Sequence, residues 1–315
     1  MTGTEDGLKL KSSVGQKIFL VSGVKMRKKV SIIGAGVVGT AIGHILKKKG
    51  YEIVAFASRS KSSFDRVRVY TDIFVTTDVV KAASLADLVF ITTQDDQIER
   101  VCEKIASGNG FKPGQIVFHM SGTLSIEALK SAKEAGASIA SAHPMQSFAD
   151  VDLAIEQLSG TYFGVTADKK IRPQVFKLVE DLGGISIMVK DEDKPLYHAA
   201  ACAASNYLVA ILRFAQEIYS SMDIPHDVGL KAMWPLIQGT LKNIEWKGTS
   251  QALTGPIARG DTGTIEKHLL ALKLKLPGAL DLYKKMGAYA VDVALEKGSI
   301  DMGRANELRR LLEEE

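Results

Sequence analysis

A glycine-rich segment near the start of the chain, Gly34-Ala35-Gly36-Val37-Val38-Gly39, has the residue types and spacing that bind a pyrophosphate. Gly34 would allow a tight turn, Gly36 would let the backbone approach the phosphates, and Gly39 would let a helix pack closely on the preceding strand. The helix N-terminus would add unpaired N–H groups and the positive end of its dipole. A β-branched run before the segment and a helical pattern after it favour dinucleotide binding over a Gly-rich turn without a ligand.

The choice of dinucleotide is predicted at the end of the second strand, which reads Ala57-Ser58-Arg59-Ser60-Lys61. NAD-binding folds usually place an Asp or Glu here to hold the ribose 2′-hydroxyl. This segment has no carboxylate, while Arg59 can form paired charged hydrogen bonds to a phosphate and Ser58 and Ser60 offer hydroxyls. We therefore predict NADP in preference to NAD; the alternative is a solvated basic loop.

Three further polar segments follow predicted strands, at the sheet edge where open α/β sheets bind ligands. Thr92 and Thr93 belong to the first and are predicted to pass beside the ribose and nicotinamide. Ser121, in the second, either hydrogen-bonds near the nicotinamide or caps a helix beginning near Leu124. His143, in the third, is a candidate substrate contact and proton donor; the alternative is a structural hydrogen bond that holds its loop.

The second half of the chain carries the candidate catalytic residues. His198 and Ser205 lie seven residues apart on one predicted helix, hence on one face, and Asn206 lies about 80° further round. His198 can act as a general acid or orient a carbonyl or imine substrate. A core histidine bonded to a backbone carbonyl is the alternative.

A loop of the second half, residues 253–261, contains Gly, Pro and Thr residues that can build a backbone anion site. Thr254 and Arg259 are the candidate substrate-binding residues, because a guanidinium grips carboxylate or phosphate. The alternative is a plain connection in which Asp261 caps the next helix.

The elements that position these residues change character near residue 190. Before it, short β-branched runs alternate with helical stretches, which predicts an α/β Rossmann-type, mostly parallel sheet; after it the sequence predicts an all-α helical domain. We therefore predict a flexible N-terminal tail at 1–27, a dinucleotide-binding domain at 28–190 and a helical domain at 191–315.

Composition excludes several classes of protein. Hydrophobic content of 46% and charged content of 24% are typical of a soluble globular protein, and the net charge of +4 is too small to indicate nucleic acid. The two cysteines lie far apart, which predicts a reducing, cytoplasmic location and no metal cluster. Polar residues interrupt the most apolar run, Tyr197 to Phe214, so we expect a buried helix and no membrane span.

The order of the motifs resembles a known superfamily. The motifs are GAGVVG at 34–39, SRS at 58–60, HMSGT at 119–123, HPMQSF at 143–148, YHAAACAASN at 197–206 and TGPIARGD at 254–261. Together they resemble the β-hydroxyacid dehydrogenase and pyrroline-5-carboxylate reductase superfamily, and more closely its branch in which a Rossmann-like domain precedes a helical domain of unknown function.

The resemblance implies an activity. It implies NADP-dependent hydride transfer to or from a small carbonyl, hydroxy-acid or imine substrate in an interdomain cleft, and a homodimer formed through the helical domain. The hydroxyacid dehydrogenase pattern places Asn four residues after a Lys; here Lys194 is followed at that spacing by His198, so His198, Ser205 and Asn206 are the better catalytic candidates. An NADP(H)-binding sensor or regulatory module without catalysis is the alternative, and reduction of a second cofactor such as a deazaflavin is a third possibility.

Overall fold

The computed structural model describes residues 28–313, and internal contacts divide the chain into two units. The first unit runs through His198 and the second begins at Ala199. The tail predicted at 1–27 lies outside the described residues.

The first unit is built on one eight-stranded sheet with the strand order β3-β2-β1-β4-β5-β6-β7-β8. All neighbouring strands are parallel except β6 and β7, which run antiparallel. The prediction of a mostly parallel Rossmann-type sheet is therefore confirmed. The strands are β1 (Lys29–Ile33), β2 (Glu52–Ala57), β3 (Val75–Thr76), β4 (Leu88–Ile91), β5 (Ile116–His119), β6 (Ser138–Pro144), β7 (Tyr162–Ala167) and β8 (Ile185–Met188).

Helices connect these strands and cover both faces of the sheet. The helices of this unit are α1 (Val37–Lys48), α2 (Lys61–Tyr70), α3 (Val79–Ser84), α4 (Asp95–Ser107), α5 (Lys130–Glu134), α6 (Val151–Gln157) and α7 (Arg172–Asp181), and α8 (Lys194–Ala204) crosses into the second unit.

The strands are apolar on both sides because helices bury both faces. Helix α1 packs Ile42 and Leu46 into the core on one face, and α4 packs Ile98 and Ile105 into the core on the other. The helices α1 and α4 therefore leave the carboxyl ends of β1 and β4 from opposite faces. That arrangement opens a crevice at the strand ends, where ligands bind in such sheets.

The second unit is helical, as predicted. Its helices are α9 (Asn206–Ser220), α10 (His226–Ala252), α11 (Thr262–Lys275), α12 (Leu280–Lys297) and α13 (Met302–Glu313). A small core joins α11, α12 and α13, and it contains Ile265, Val291, Ala305, Leu308 and Leu312.

The single helix predicted to carry both His198 and Ser205 is interrupted at Ser205. The backbone of Ser205 leaves helical geometry (φ −116°, ψ −67°), so α8 ends at Ala204 and α9 begins at Asn206. The Ser205 N–H still bonds to the carbonyl of Ala201, which keeps the chain direction nearly continuous. The prediction that His198 and Ser205 share one face of a regular helix is therefore wrong.

The expectation of a buried helix across this region is also wrong. No residue of α9 is buried by the rest of the described chain, and Tyr207 and Val209 are about two-thirds exposed. The stretch Asp191–Ser220 has 30 residues, and an 18-residue window within it reaches a mean hydropathy of 1.2, so by length and composition alone it could cross a membrane. Sequence patterning could not reveal what covers this helix, because apolar residues look alike whether the chain itself or another surface buries them.

Candidate functional site

A cavity of about 560 Å³ lies at the carboxyl ends of β1, β2 and β4. We call it the dinucleotide cavity. Most of the residues predicted to bind the cofactor meet there, which the sheet topology explains because parallel strands end at one edge. Of the predicted cofactor residues, its lining includes Gly34, Gly36, Ser58, Arg59, Ser60, Thr92 and Thr93.

The three motif glycines have distinct surroundings. Gly34 has φ +114°, and a Cβ there would lie 2.6 Å from the carbonyl carbon of Thr92. A Cβ on Gly39 would collide with the carbonyl oxygen of Gly34, so α1 packs against the turn at this point. Gly36 has no atom within 4 Å of its Cβ position, and it precedes α1 without a side-chain cap. The geometry thus suits the role that the sequence suggested for each glycine, while phosphate binding itself stays a prediction.

Hydrogen bonds hold the glycine turn in place. The Thr92 hydroxyl donates to the carbonyl of Gly34 at 2.6 Å, and Gly34 N–H donates to the carbonyl of Ala57 at 2.8 Å. The guanidinium of Arg66, on α2, donates to the carbonyl of Ala35 at 2.9 Å. Arg66 was not predicted from the sequence, because nothing in its local pattern distinguishes it from other surface arginines.

The far end of the dinucleotide cavity is basic. Arg59 lines it together with Gln97, Arg100 and Lys104 of α4, and no carboxylate is among the described residues around it. The sequence analysis named none of these three α4 residues, because it placed no helix after the polar segment at 92–97. Their spacing of three and four residues, typical of one helix face, was the available signal.

A second cavity of about 220 Å³ shares Thr92 and Thr93 with the first and therefore adjoins it. We call it the reaction cavity. Its other lining residues are Val38, Asp95, Met120, Ser121, His143, Pro144, Gln146 and Phe148. The predicted residues Val38, Ser121 and His143 are thus brought together beside the threonines, whereas Val37 lines neither cavity and begins α1.

Ser121 makes the local contacts of its capping alternative, whereas its role near the nicotinamide stays a prediction. Its hydroxyl accepts the N–H groups of Thr123 at 3.2 Å and Leu124 at 3.0 Å, as a capping residue does. The same hydroxyl donates to the carboxylate of Asp95 at 2.6 Å at the wall of the reaction cavity. Asp95, the first residue of α4, is a site residue that the sequence analysis missed.

Lys194 is a buried cation close to this wall. Its side chain is 1% exposed, and its ammonium donates to the carbonyl of Ser121 at 3.0 Å and to the hydroxyl of Ser141 at 2.7 Å. Burial lowers the pKa of Lys194 to about 8, and the carboxylates of Asp191 and Asp95 oppose that shift. The lysine therefore ties the start of α8 to the ends of β5 and β6.

Two residues of α8 reach His143. Nδ1 of His143 is 3.1 Å from the Tyr197 hydroxyl, and the ring centroids of His143 and His198 are 5.9 Å apart. Burial lowers the pKa of His143 to about 4, with the charges of His198 and Lys194 adding to the shift. His143 is therefore a neutral imidazole at ordinary pH.

The remaining predicted residues belong to the helical unit. Ser205, Asn206, Thr254 and Arg259 are all exposed. Gly255 and Gly260 give the loop its left-handed turns (φ +92° and +67°). Asp261 accepts the N–H of Thr264 at 3.0 Å, which is the capping contact of the plain-loop alternative. Across residues 28–313, no group of three or more His, Cys, Asp or Glu side chains could hold a metal ion.

Two family models match the sequence. One is a Rossmann-like domain over residues 21–144, and the other is the domain of unknown function DUF2520 over residues 161–290. The fold and the strand-end crevice define a Rossmann-type protein. More particularly, the chain carries a Rossmann-like domain followed by a DUF2520 domain, as its motifs implied.

Solved structures share this architecture. A Thermotoga maritima protein is 26% identical, with a TM-score of 0.68, over 85% of this chain and 99% of its own. A Bacteroides fragilis protein provisionally called an NADP oxidoreductase is 22% identical, with a TM-score of 0.67, over 84% of this chain and 98% of its own. A Plasmodium falciparum pyrroline carboxylate reductase with NADP bound is 13% identical, with a TM-score of 0.52, over 90% and 98%. The last two show the shared fold alone. No curated protein sequence matches the chain significantly.

Proposed function

We propose that this chain is an NADP-dependent oxidoreductase that transfers a hydride between the nicotinamide and a small carbonyl, hydroxy-acid or imine substrate. One observation carries the proposal: a dinucleotide cavity with a glycine turn and a basic end continues into a reaction cavity lined by Asp95, Ser121 and His143. When bound, NADPH supplies the hydride chemistry, and the protein supplies position and electrostatics.

The dinucleotide cavity suits NADP in particular. The unpaired N–H groups at the start of α1 face the turn that would take the pyrophosphate. Arg59, Arg100 and Lys104 would hold the 2′-phosphate, and no carboxylate is present among the lining residues to repel it. The Plasmodium falciparum neighbour, of the same fold, has NADP bound.

Roles for the other predicted residues follow from their chemistry. Ser121 and His143 would contact the substrate in the reaction cavity. His198 would act as the acid and base, since an imidazole can both donate and accept a proton. Arg259 and Thr254 would anchor an anionic group of the substrate, and Ser205 and Asn206 would support the reacting group.

The cofactor assignment is tested first by titrating the protein with NADPH and NADH while following nicotinamide fluorescence. We expect NADPH to bind more tightly, and Arg59→Ala to weaken NADPH roughly 10- to 100-fold while leaving NADH unchanged. Binding is weakened rather than lost, because Arg100 and Lys104 remain at the same end of the cavity.

Arg68→Ala is the matched control for that titration. Arg68 lies on the nearby helix α2, pairs with Asp65 at 3.7 Å, and does not line the cavity, so its loss should change neither affinity. Equal affinity for the two cofactors in the parent protein would contradict the NADP assignment. Failure of both cofactors to bind would remove the oxidoreductase proposal altogether.

Catalysis is tested next with a panel of ketones, hydroxy acids and imines, each assayed with the bound cofactor. A true substrate should be turned over, and His198→Ala and Arg259→Ala should both slow it. Firm cofactor binding without turnover across the panel would favour the alternative of an NADP(H)-binding sensor or regulatory module. Parent-like turnover by both variants would contradict the roles given to these residues.

We also propose that the chain forms a homodimer through its helical unit in the cytoplasm. Tyr207, Val209, Leu236 and Trp246 are each at least 65% exposed, and a second copy would bury these apolar side chains. Cys102 and Cys202 are not joined by a disulfide, in keeping with a reducing compartment. Sedimentation equilibrium should give twice the chain mass of 34.0 kDa, and Val209→Asp should shift it to one chain mass.

A further inference from the structure

Tyr197 carries a partly buried phenol that has no role in the proposed reaction. Its hydroxyl is 3.1 Å from Nδ1 of His143 and 3.4 Å from the carbonyl oxygen of the same residue. The two rings meet edge to face, with centroids 5.6 Å apart and planes 88° apart. Tyr197 therefore contacts His143 through both its hydroxyl and its ring.

Two glycines make this arrangement possible. A Cβ on Gly164, in β7, would lie 2.5 Å from Cζ of Tyr197, so only glycine leaves room for the phenol. A Cβ on Gly122 would lie 2.9 Å from Cε1 of His143 and 2.6 Å from Cδ2 of His198. The backbone of the first unit thus leaves room for these three rings, of which His143 lines the reaction cavity.

The phenol has one proton and two acceptors within reach. The imidazole nitrogen Nδ1 is the nearer of the two and is the stronger acceptor, so it takes the proton. A neutral imidazole carries one N–H, and an Nδ1 that accepts a hydrogen bond leaves that N–H on Nε2.

We propose that Tyr197 is a positioning residue that donates its hydroxyl proton to Nδ1 of His143 and thereby presents Nε2–H of His143 as a neutral hydrogen-bond donor to the substrate. The acceptor would be the carbonyl oxygen or imine nitrogen that gains charge as hydride arrives. The substrate part of this inference rests on the proposed function; the tautomer does not.

The charges around the pair agree with this assignment. The titratable groups that interact with His143 are Tyr197, His198, Lys194 and His119, and none of them is a carboxylate that would favour an imidazolium. The carboxylate of Asp95 lines the same cavity and accepts the hydroxyl proton of Ser121. Burial together with His198 and Lys194 lowers the pKa of His143 to about 4. Burial also raises the pKa of Tyr197, so the phenol keeps the proton that it donates.

The first readout is the nitrogen NMR spectrum of histidine-labelled, cofactor-free protein, with His143 assigned through a His143→Gln variant. We expect Nδ1 of His143 to resonate as an unprotonated nitrogen and Nε2 as a protonated one. Tyr197→Phe should convert these two signals to values averaged between the tautomers, since the directing hydrogen bond is gone. Gly164→Ala should have the same effect by displacing the phenol without removing any polar atom.

The second readout is kinetic, with the substrate found in the panel. Tyr197→Phe should lower kcat about tenfold and leave the KM for NADPH unchanged, because one hydrogen bond to the reacting group is weakened. Tyr162→Phe is the matched control, since Tyr162 is a half-exposed tyrosine of β7 that lines neither cavity. It should alter neither readout.

The spectra test the tautomer of His143, and kcat tests its donor role toward the substrate. A protonated Nδ1 in the parent protein, or a spectrum that Tyr197→Phe leaves unchanged, overturns the tautomer assignment. The expected spectra with an unchanged kcat overturn the donor role of His143 toward the substrate. If no substrate is found, the proposed function fails, and the spectra alone still decide the positioning role of Tyr197.

Discussion

The Gly36→Ala protein is expected to fold as the parent does and to lose NADPH binding. No atom lies within 4 Å of the Cβ position of Gly36, and its φ of −76° suits any residue, so alanine causes no clash within the chain. The cost to folding should be no more than about 1 kcal/mol, the penalty of alanine at a helix N-cap. The added methyl group would instead occupy the space through which the pyrophosphate approaches the N–H groups of α1. A steric penalty of about 3 kcal/mol corresponds to binding on the order of a hundredfold weaker.

Gly34→Ala is the contrasting variant in the same turn. Its φ of +114° is unfavourable for any side chain, and the new Cβ would lie 2.6 Å from the carbonyl carbon of Thr92. Strain of this kind costs roughly 1–3 kcal/mol, and the clash adds to it. This variant should therefore lose stability as well as NADPH binding.

Urea unfolding followed by circular dichroism and NADPH titration followed by fluorescence separate the two variants. The pyrophosphate assignment requires Gly36→Ala to retain its unfolding midpoint while losing affinity. Parent-like affinity in that variant would mean that the turn serves the packing of α1 and that NADPH, if bound, lies elsewhere.

The sheet could be predicted because its strands are short apolar runs bounded by turn residues. The predicted bounds of residues 52–57 and 116–119 match β2 and β5, whose side chains are mostly buried. Burial on both faces forces a continuous β-branched or aromatic run, which a sequence displays directly. The glycine turn was predictable for a similar reason, since its backbone geometry admits few residue types.

The site residues that the sequence did not predict share a physical cause: their roles depend on contacts with residues distant in sequence. Helix α4 begins with Asp95 and Asp96 after a strand, and this polar start resembles a loop although its buried face is regular. Lys194 looked like a helix-start residue, yet Ser121 and Ser141, far away in the chain, enclose its ammonium. The role of Tyr197 depends equally on Gly164, which lies on another strand. No local pattern encodes such partners.

We expect the folded protein to lose stability as the pH falls from about 6.5 to 4. Burial, reinforced by Lys194, lowers the pKa of His119 to about 3, and burial with His198 and Lys194 lowers that of His143 to about 4. In the unfolded chain both groups have ordinary pKa values near 6.5, so acid protonates the unfolded chain first and favours it. Their contribution is complete above pH 6.5 and should decline by about 3 kcal/mol for each histidine by pH 4.

His119→Asn isolates this effect, since the asparagine oxygen reaches the position of Nδ1 and can still accept the N–H of Ser121 that His119 accepts at 3.2 Å. The free energy of unfolding, measured in urea at several pH values, should fall less steeply below pH 6.5 in this variant than in the parent. His268→Asn, at an exposed position of the helical unit, should leave the slope unchanged. Lys194 affects the free energy of unfolding only in alkali. Its pKa is lowered to about 8 in the folded protein, so stability rises as the pH increases from there toward 10.5. Measurements below pH 7.5 therefore contain no contribution from Lys194. An identical slope in the parent and His119→Asn would show that the buried imidazole is not what acid protonates, and the acid sensitivity would then have to arise from carboxylates.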